Sequence, residues 1–61
     1  MKTGSLIRVR HAADKYNGHI GILTSILHVT GFRDTYSVYI PSLAYEIGLT
    51  KEQCEAINEG R

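Results

Sequence analysis

Tryptophan is absent from this 61-residue chain, and cysteine and proline occur once each. A single cysteine, Cys54, excludes an intramolecular disulfide or a zinc site of several thiolates, and it is typical of a reducing cytoplasm. No apolar run approaches the length of a membrane span, and no apolar block follows the first lysine, so we expect neither a membrane span nor a signal peptide. A chain this small also leaves little room for the deep pocket of an enzyme.

A large excess of charge is also missing, because the formal net charge is only +1. The charges are distributed unevenly. Residues 1–35 hold five of the seven lysines and arginines and all three histidines, whereas residues 36–61 hold four of the six carboxylates. A basic first part favours contact with an anionic partner, and the acidic end is typical of a solvated helix face or a docking surface for a basic protein.

The chain does contain alternation of apolar and polar residues, which is the pattern of half-buried β-strands. Ile7 and Val9 share one face of the first such segment, and Tyr36 and Tyr45 belong to the inward sets of the later ones. The second segment is apolar on both faces, which predicts a strand that curls and packs on two sides. One of these faces is predicted to hold Ile20, Ile22, Thr24 and Ile26. A glycine and an aspartate, Gly31 and Asp34, predict the hairpin turn that follows it. The strands are predicted over residues 5–10, 19–28, 35–40 and 43–49.

The period changes after residue 49. Thr50 followed by Gln53 is a capping-box pattern, in which we expect the threonine oxygen to accept the amide of Gln53. The next residues place Cys54 and Ile57 on one apolar stripe, so we predict a short C-terminal α-helix over about residues 51–59 and an inert, buried thiol. The predicted fold is a single mainly β domain, residues 1–61, with four to five short antiparallel strands within residues 5–49.

The segment LIRVRHAADKYNGHIGILTSI, residues 6–26, resembles the KOW motif of SH3-like barrels in ribosomal proteins and transcription-elongation factors. The motif has a VRV-type strand, a loop, an aromatic-x-Gly-x-x-Gly pattern and a second apolar strand, and Tyr16, Gly18 and Gly21 match it. We expect Gly18 to adopt positive φ and Gly21 to permit a sharp bend or the close approach of a backbone or ring. No helix start follows these glycines, which excludes P-loop and dinucleotide-binding motifs. The resemblance implies an SH3-like small β-barrel.

In KOW-type domains the loop ahead of the glycine and the adjacent strand faces commonly contact RNA, the ribosome or RNA polymerase. The resemblance therefore implies a non-enzymatic binding module that engages RNA or such a nucleic-acid machine. Asn17 and His19 stand where KOW sequences often carry cations, which keeps a second prediction open. The second prediction is a small inhibitory or protein-interaction regulator, of the kind encoded by phages and mobile elements. It would bind one host protein through Tyr39, Phe32 and the predicted hairpin turn that contains Gly31 and Asp34. The candidate contact residues are Arg8, Arg10, His11, Lys15, Tyr16, Asn17, His19, Arg33 and Tyr39.

Two of these assignments have an alternative. Arg8 and Arg10 project from one strand face about 7 Å apart, so they either contact phosphates or form an ordinary solvated face. Tyr39 is either a stacking platform for a base or protein, or the cover of an edge strand.

The remaining patterns indicate neither catalysis nor metal binding. His11, His19 and His28 fit no zinc-ligand spacing, and Asp14 and Asp34 fall in different loops, so no catalytic site, metal or cofactor is expected. A small open barrel leaves an edge strand exposed, and such an edge can pair with a partner chain or with a second copy in a homodimer. We expect a cytoplasmic protein without membrane contact.

Overall fold

The computed structural model describes residues 2–28 and 30–57. In this part of the chain five antiparallel strands form one unclosed sheet, in the order β4-β3-β2-β1-β5. The mainly β prediction is confirmed, and four of the strands lie in the segments where alternation placed them. The strands are β1 (Leu6–Val9), β2 (Ile20–Leu27), β3 (Thr35–Ile40), β4 (Tyr45–Leu49) and β5 (Cys54–Ile57). The described residues contain no helix long and apolar enough to cross a membrane.

One face of the sheet carries the core. Alternation in β1 and β3 directs every second side chain to this face, and the inward assignments of Ile7, Val9 and Tyr36 are confirmed by their burial. The inward assignment of Tyr45 is wrong, because its side chain is 45% exposed. Tyr45 begins β4, which is an edge strand, so only β3 lies beside it in the sheet. The buried core consists of Ile7, Val9, Leu23, Tyr36, Val38, Ile40, Leu49 and Cys54.

Strand β2 changes its inward face partway along. Its pairing with β3 shifts register just after Leu23, and the residue inserted by such a bulge reverses the alternation that follows. Ile20 and Ile22 therefore lie on the exposed face, whereas Ile26 packs against the core. The prediction that these three isoleucines share one face is wrong. The prediction that β2 packs on two sides is also wrong for the described chain, since its second face is open.

The prediction of an α-helix over about residues 51–59 is wrong for residues 51–57. Residues 58 and 59 lie outside the described residues. Lys51–Gln53 form a single 3₁₀ turn, after which the chain enters β5 and pairs with β1. The capping pattern does mark this turn, since the Thr50 N–H donates to Oε1 of Gln53 over 3.0 Å. The turn stops because the edge of β1 offers backbone partners to the next residues, and tertiary pairing outweighs a weak local helix propensity.

Cys54 is buried as predicted, although it lies on a strand. Its side chain is 4% exposed, and burial raises the pKa of the thiol, so the reactive thiolate is scarce at neutral pH. We expect a disulfide reagent such as dithiobis(nitrobenzoate) to label the native protein at least about tenfold more slowly than the unfolded protein. The absorbance of the released thiolate follows the reaction. Equal rates with and without denaturant would contradict the burial.

Candidate binding surfaces

The two glycines of the KOW-like pattern have different roles. Gly18 has a φ of 84°, and a methyl group there would meet nothing within 4 Å. At Gly21 a methyl group would lie 2.5 Å from the carbonyl oxygen of Tyr39 and 2.6 Å from Cγ1 of Val38. Positive φ at Gly18 and a close backbone approach at Gly21 are both confirmed. Gly18 turns the loop into β2, and Gly21 lets β3 lie close against it.

The loop between β1 and β2, residues 10–19, is held by hydrogen bonds within it and by one from Gln53. Oδ1 of Asn17 accepts the N–H of Ala12 over 2.8 Å, and Nδ2 donates to the carbonyl of Ala12 over 2.9 Å. The carbonyl of His11, a residue with φ of 57°, accepts Nε2 of Gln53 over 3.1 Å. Asn17 and His11 were predicted as contact residues, and in the structure each has a role in shaping this loop.

Lys15, Tyr16 and His19 lie where this loop enters β2. Nζ of Lys15 is 5.1 Å from the centroid of the Tyr16 ring, a cation–π contact. The neighbouring Tyr45 hydroxyl lowers the pKa of Tyr16, and the Tyr16 hydroxyl raises the pKa of Tyr45. Nδ1 of His19 lies 2.9 Å from Oγ of Ser42. The sequence did not mark Ser42 and Tyr45 for this surface, because only the pairing of distant strands brings them here.

Two of the three candidate arginines, Arg8 and Arg33, face carboxylates, and the third, Arg10, contacts the backbone of one of these acidic residues. Nη1 of Arg8 lies 3.6 Å from Oε1 of Glu55 across β1 and β5. Nη1 of Arg33 lies 3.6 Å from Oε1 of Glu52, and Nε of Arg10 donates to the Glu52 carbonyl over 3.3 Å. The acidic residues near the end of the chain therefore lie against the basic first part, and they reduce its cationic character.

A row of exposed apolar side chains crosses the outer face of the sheet. Leu6 of β1 is opposite Ile22 of β2, and Ile22 is opposite Tyr39 of β3. Side chains paired in this way on one face are about 5 Å apart. Ile20, two residues before Ile22, adds a fourth member. These four residues, named here the outer patch, are each between 37% and 41% exposed.

Charged residues border the outer patch. Glu46 of β4 is opposite Tyr39, and Arg8 is opposite Ile20 with its ion-pair partner Glu55 on the next strand. An apolar centre within a charged rim is the usual anatomy of a protein–protein interface. Exposed apolar groups that are contiguous, rather than scattered, commonly mark a binding site.

Only Tyr39 of the outer patch was a predicted contact residue. Alternation did place Ile20 and Ile22 together, but a sequence does not distinguish an open strand face from a packed one. Phe32 was predicted to act with Tyr39, yet it precedes the start of β3 while Tyr39 lies near its end. The two aromatic residues therefore do not form one surface.

Among residues 2–28 and 30–57, no three His, Cys, Asp or Glu side chains are grouped as metal ligands would be. No protein-family model matches the chain, and neither does any curated protein or solved structure. Support for a function therefore comes from the residues of this chain and their geometry.

Proposed function

We propose that this chain is a non-enzymatic binding module with an SH3-like fold of the KOW type, and that it binds a protein through the outer patch. The KOW-like pattern of residues 6–26 supports the fold assignment. The pairing of β5 with β1 also supports it, because a sheet whose last described strand returns to its first strand is disposed to curl toward a barrel. The described strands are short and antiparallel, as the proposed fold requires.

The outer patch is the observation that carries the choice of a protein partner. Contiguous apolar side chains gain free energy by leaving water against another apolar surface, and only the Tyr39 hydroxyl in this patch can donate to a phosphate. Arg8 and Arg33, which would have contacted phosphates, lie beside Glu55 and Glu52. The exposed residues are therefore explained better if the chain is a small regulator that binds one protein than if it is an RNA-binding domain.

RNA, or the nucleic-acid machine implied by the KOW resemblance, is the second candidate. The cation–π contact of Lys15 and Tyr16, with His19 close in the chain, favours it. A cation beside an aromatic ring is how single-stranded nucleic acids are commonly bound without sequence preference. Because this end of the domain offers few phosphate-reaching cations, we expect any such binding to be weak and strongly dependent on salt.

Affinity capture from a lysate of the source organism tests the protein-binding proposal. The wild-type chain should retain one protein, and Ile22→Glu should reduce its retention more than about tenfold by placing a charge at the centre of the outer patch. Leu27→Glu is the matched control, because it adds the same charge to the same strand at a side chain that is 57% exposed outside the patch. Circular dichroism checks that both variants fold. Equal retention by the wild type and Ile22→Glu would contradict the proposal.

Titration of labelled single-stranded RNA and a DNA duplex, at low and moderate salt, tests the second candidate. The protein-binding proposal predicts no saturable change in fluorescence anisotropy with either probe. Saturable RNA binding that persists in Ile22→Glu and is lost in Lys15→Glu would overturn the proposal in favour of RNA.

A further inference from the structure

A single row of paired side chains crosses the outer face of the sheet from one edge strand to the other. Ile57 of β5 is opposite Leu6 of β1, and the pairs continue from Leu6 to Ile22 and from Ile22 to Tyr39. Beyond Tyr39 the row ends on Glu46 of β4. These five residues are named here the outer row. Neighbouring strands lie about 4.8 Å apart, so the apolar part, from Ile57 to Tyr39, is about 14 Å long.

The outer row is narrow and has polar flanks. On one side the next residues of the same face are Glu55 of β5 and Arg8 of β1, to which β2 adds the apolar Ile20. On the other side they are Ser37 of β3 and Gly48 of β4. An apolar stripe between polar flanks matches the stripe of an amphipathic helix, whereas a second sheet packs through an inner face that is apolar across several residues of each strand.

An occupant of the outer row must satisfy its own backbone hydrogen bonds. From β4 to β5 the strands pair with one another, and their N–H and C=O groups point along the plane of the sheet and not out of its face. An extended segment laid on this face would lose hydration without gaining partners for its backbone. A helix bonds its backbone internally, and about nine helical residues span 14 Å. A helix is therefore the element that fits.

The charge at the end of the outer row favours a cation in the occupant. The strands place three charges on this face, and two of them form a pair, since Nη1 of Arg8 lies 3.6 Å from Oε1 of Glu55. The third, Glu46, is exposed and has no ion-pair partner within residues 2–28 and 30–57. The net charge beside the row is therefore negative, which attracts a lysine or arginine and repels a carboxylate.

We propose that the outer row binds an amphipathic helix of the partner protein, whose apolar stripe lies along Ile57 to Tyr39 and ends in a lysine or arginine beside Glu46. This inference rests on the proposed protein-binding function and specifies the segment that the partner contributes. A second copy of this chain does not supply that segment from the part that the structure describes, because its elements there are five strands and one 3₁₀ turn.

Photo-cross-linking from both ends of the apolar stripe tests the helix. Benzoylphenylalanine replaces Ile57 in one chain and Tyr39 in another, and mass spectrometry locates the adducts on the protein that the chain captures. Both should fall on one segment, about nine residues apart, with a lysine or arginine within about one helical turn beyond the Tyr39 adduct. A separation of about four residues would indicate an extended segment and would overturn the helix, as would adducts on two separate segments.

Charge variants of Glu46 test the cation, and the concentration of chain that half-depletes the captured protein from the lysate gives the affinity. Glu46→Gln should weaken binding about two- to fivefold, the usual range for an exposed ion pair, and less at high salt. Glu46→Lys should weaken it more than about tenfold, because it opposes like charges. Glu52→Lys is the matched control, since it makes the same change at an exposed residue of the 3₁₀ turn and should keep the wild-type affinity.

The Glu46 and Ile22 variants together separate this inference from the proposed function, once circular dichroism has shown that each is folded. Unchanged binding by Glu46→Lys, with binding lost in Ile22→Glu, would overturn the basic helix and leave the protein-binding proposal standing. Equal binding by the wild type and Ile22→Glu would contradict the proposed function itself. Capture of no protein by the wild-type chain would contradict both.

Discussion

Replacing Gly21 with alanine is expected to lower the free energy of unfolding by about 3 kcal/mol or more, which is at or above the upper end for overpacking in a core. The added methyl group would lie 2.5 Å from the carbonyl oxygen of Tyr39. That oxygen belongs to the backbone of β3, and β3 cannot retreat without losing its pairing with β2. A domain this small has a low free energy of unfolding, so we expect the variant to be largely unfolded at room temperature. Urea denaturation followed by far-ultraviolet circular dichroism measures the change.

Gly18→Ala is the matched control, because it adds the same methyl group where nothing lies within 4 Å. The left-handed backbone at this position costs an alanine about 1–2 kcal/mol. The domain should therefore remain folded with a lower urea midpoint. Gly18→Asn should lie closer to the wild type, since asparagine tolerates this backbone conformation. Equal losses for Gly18→Ala and Gly21→Ala would contradict a steric origin of the Gly21 effect.

Replacing Gln53 with alanine is expected to lower the free energy of unfolding by about 2 kcal/mol, or about 1 kcal/mol for each of two lost hydrogen bonds. Oε1 of Gln53 accepts the Thr50 N–H over 3.0 Å, and Nε2 donates to the His11 carbonyl over 3.1 Å. One side chain thus closes the 3₁₀ turn and fastens the loop between β1 and β2 to it. The difference in urea midpoint between the variant and the wild type gives the loss.

Lys51→Ala is the control for Gln53→Ala, because Lys51 is exposed and belongs to the same 3₁₀ turn. Its replacement should change the free energy of unfolding by no more than about 0.5 kcal/mol. If both variants lost the same amount, the two hydrogen bonds of Gln53 would not be the cause.

The alternation of apolar residues was sufficient to predict most of this sheet. Ile7 and Val9, and likewise Tyr36 and Val38, repeat with period two and face the core, so the strands that contain them could be located from the sequence. The bulge after Leu23 could not be located from the sequence, because its geometry depends on the pairing of β2 with β3. The last strand was also missed, since a helix-like pattern at residues 51–59 competes there with the open edge of β1.

The candidate surfaces were predicted less completely than the fold. Lys15, Tyr16 and His19 are close in the chain, and their grouping follows from the loop that the glycine pattern indicates. The influence of Tyr16 and Tyr45 on each other's pKa requires distant segments to come together, which a single sequence does not reveal. The outer patch was missed for a different reason. Its isoleucines have the pattern of core residues, and only the absence of a covering layer in the described structure distinguishes them.

Photo-cross-linking at Tyr39 is the most direct test of the claim that the outer patch faces a partner protein. Benzoylphenylalanine is introduced in place of Tyr39 or, in a separate chain, in place of Lys15, and the cells of the source organism are irradiated. We predict one protein adduct at position 39 that Ile22→Glu abolishes and Leu27→Glu preserves. An RNA adduct at position 15, with no protein adduct at position 39, would contradict this account.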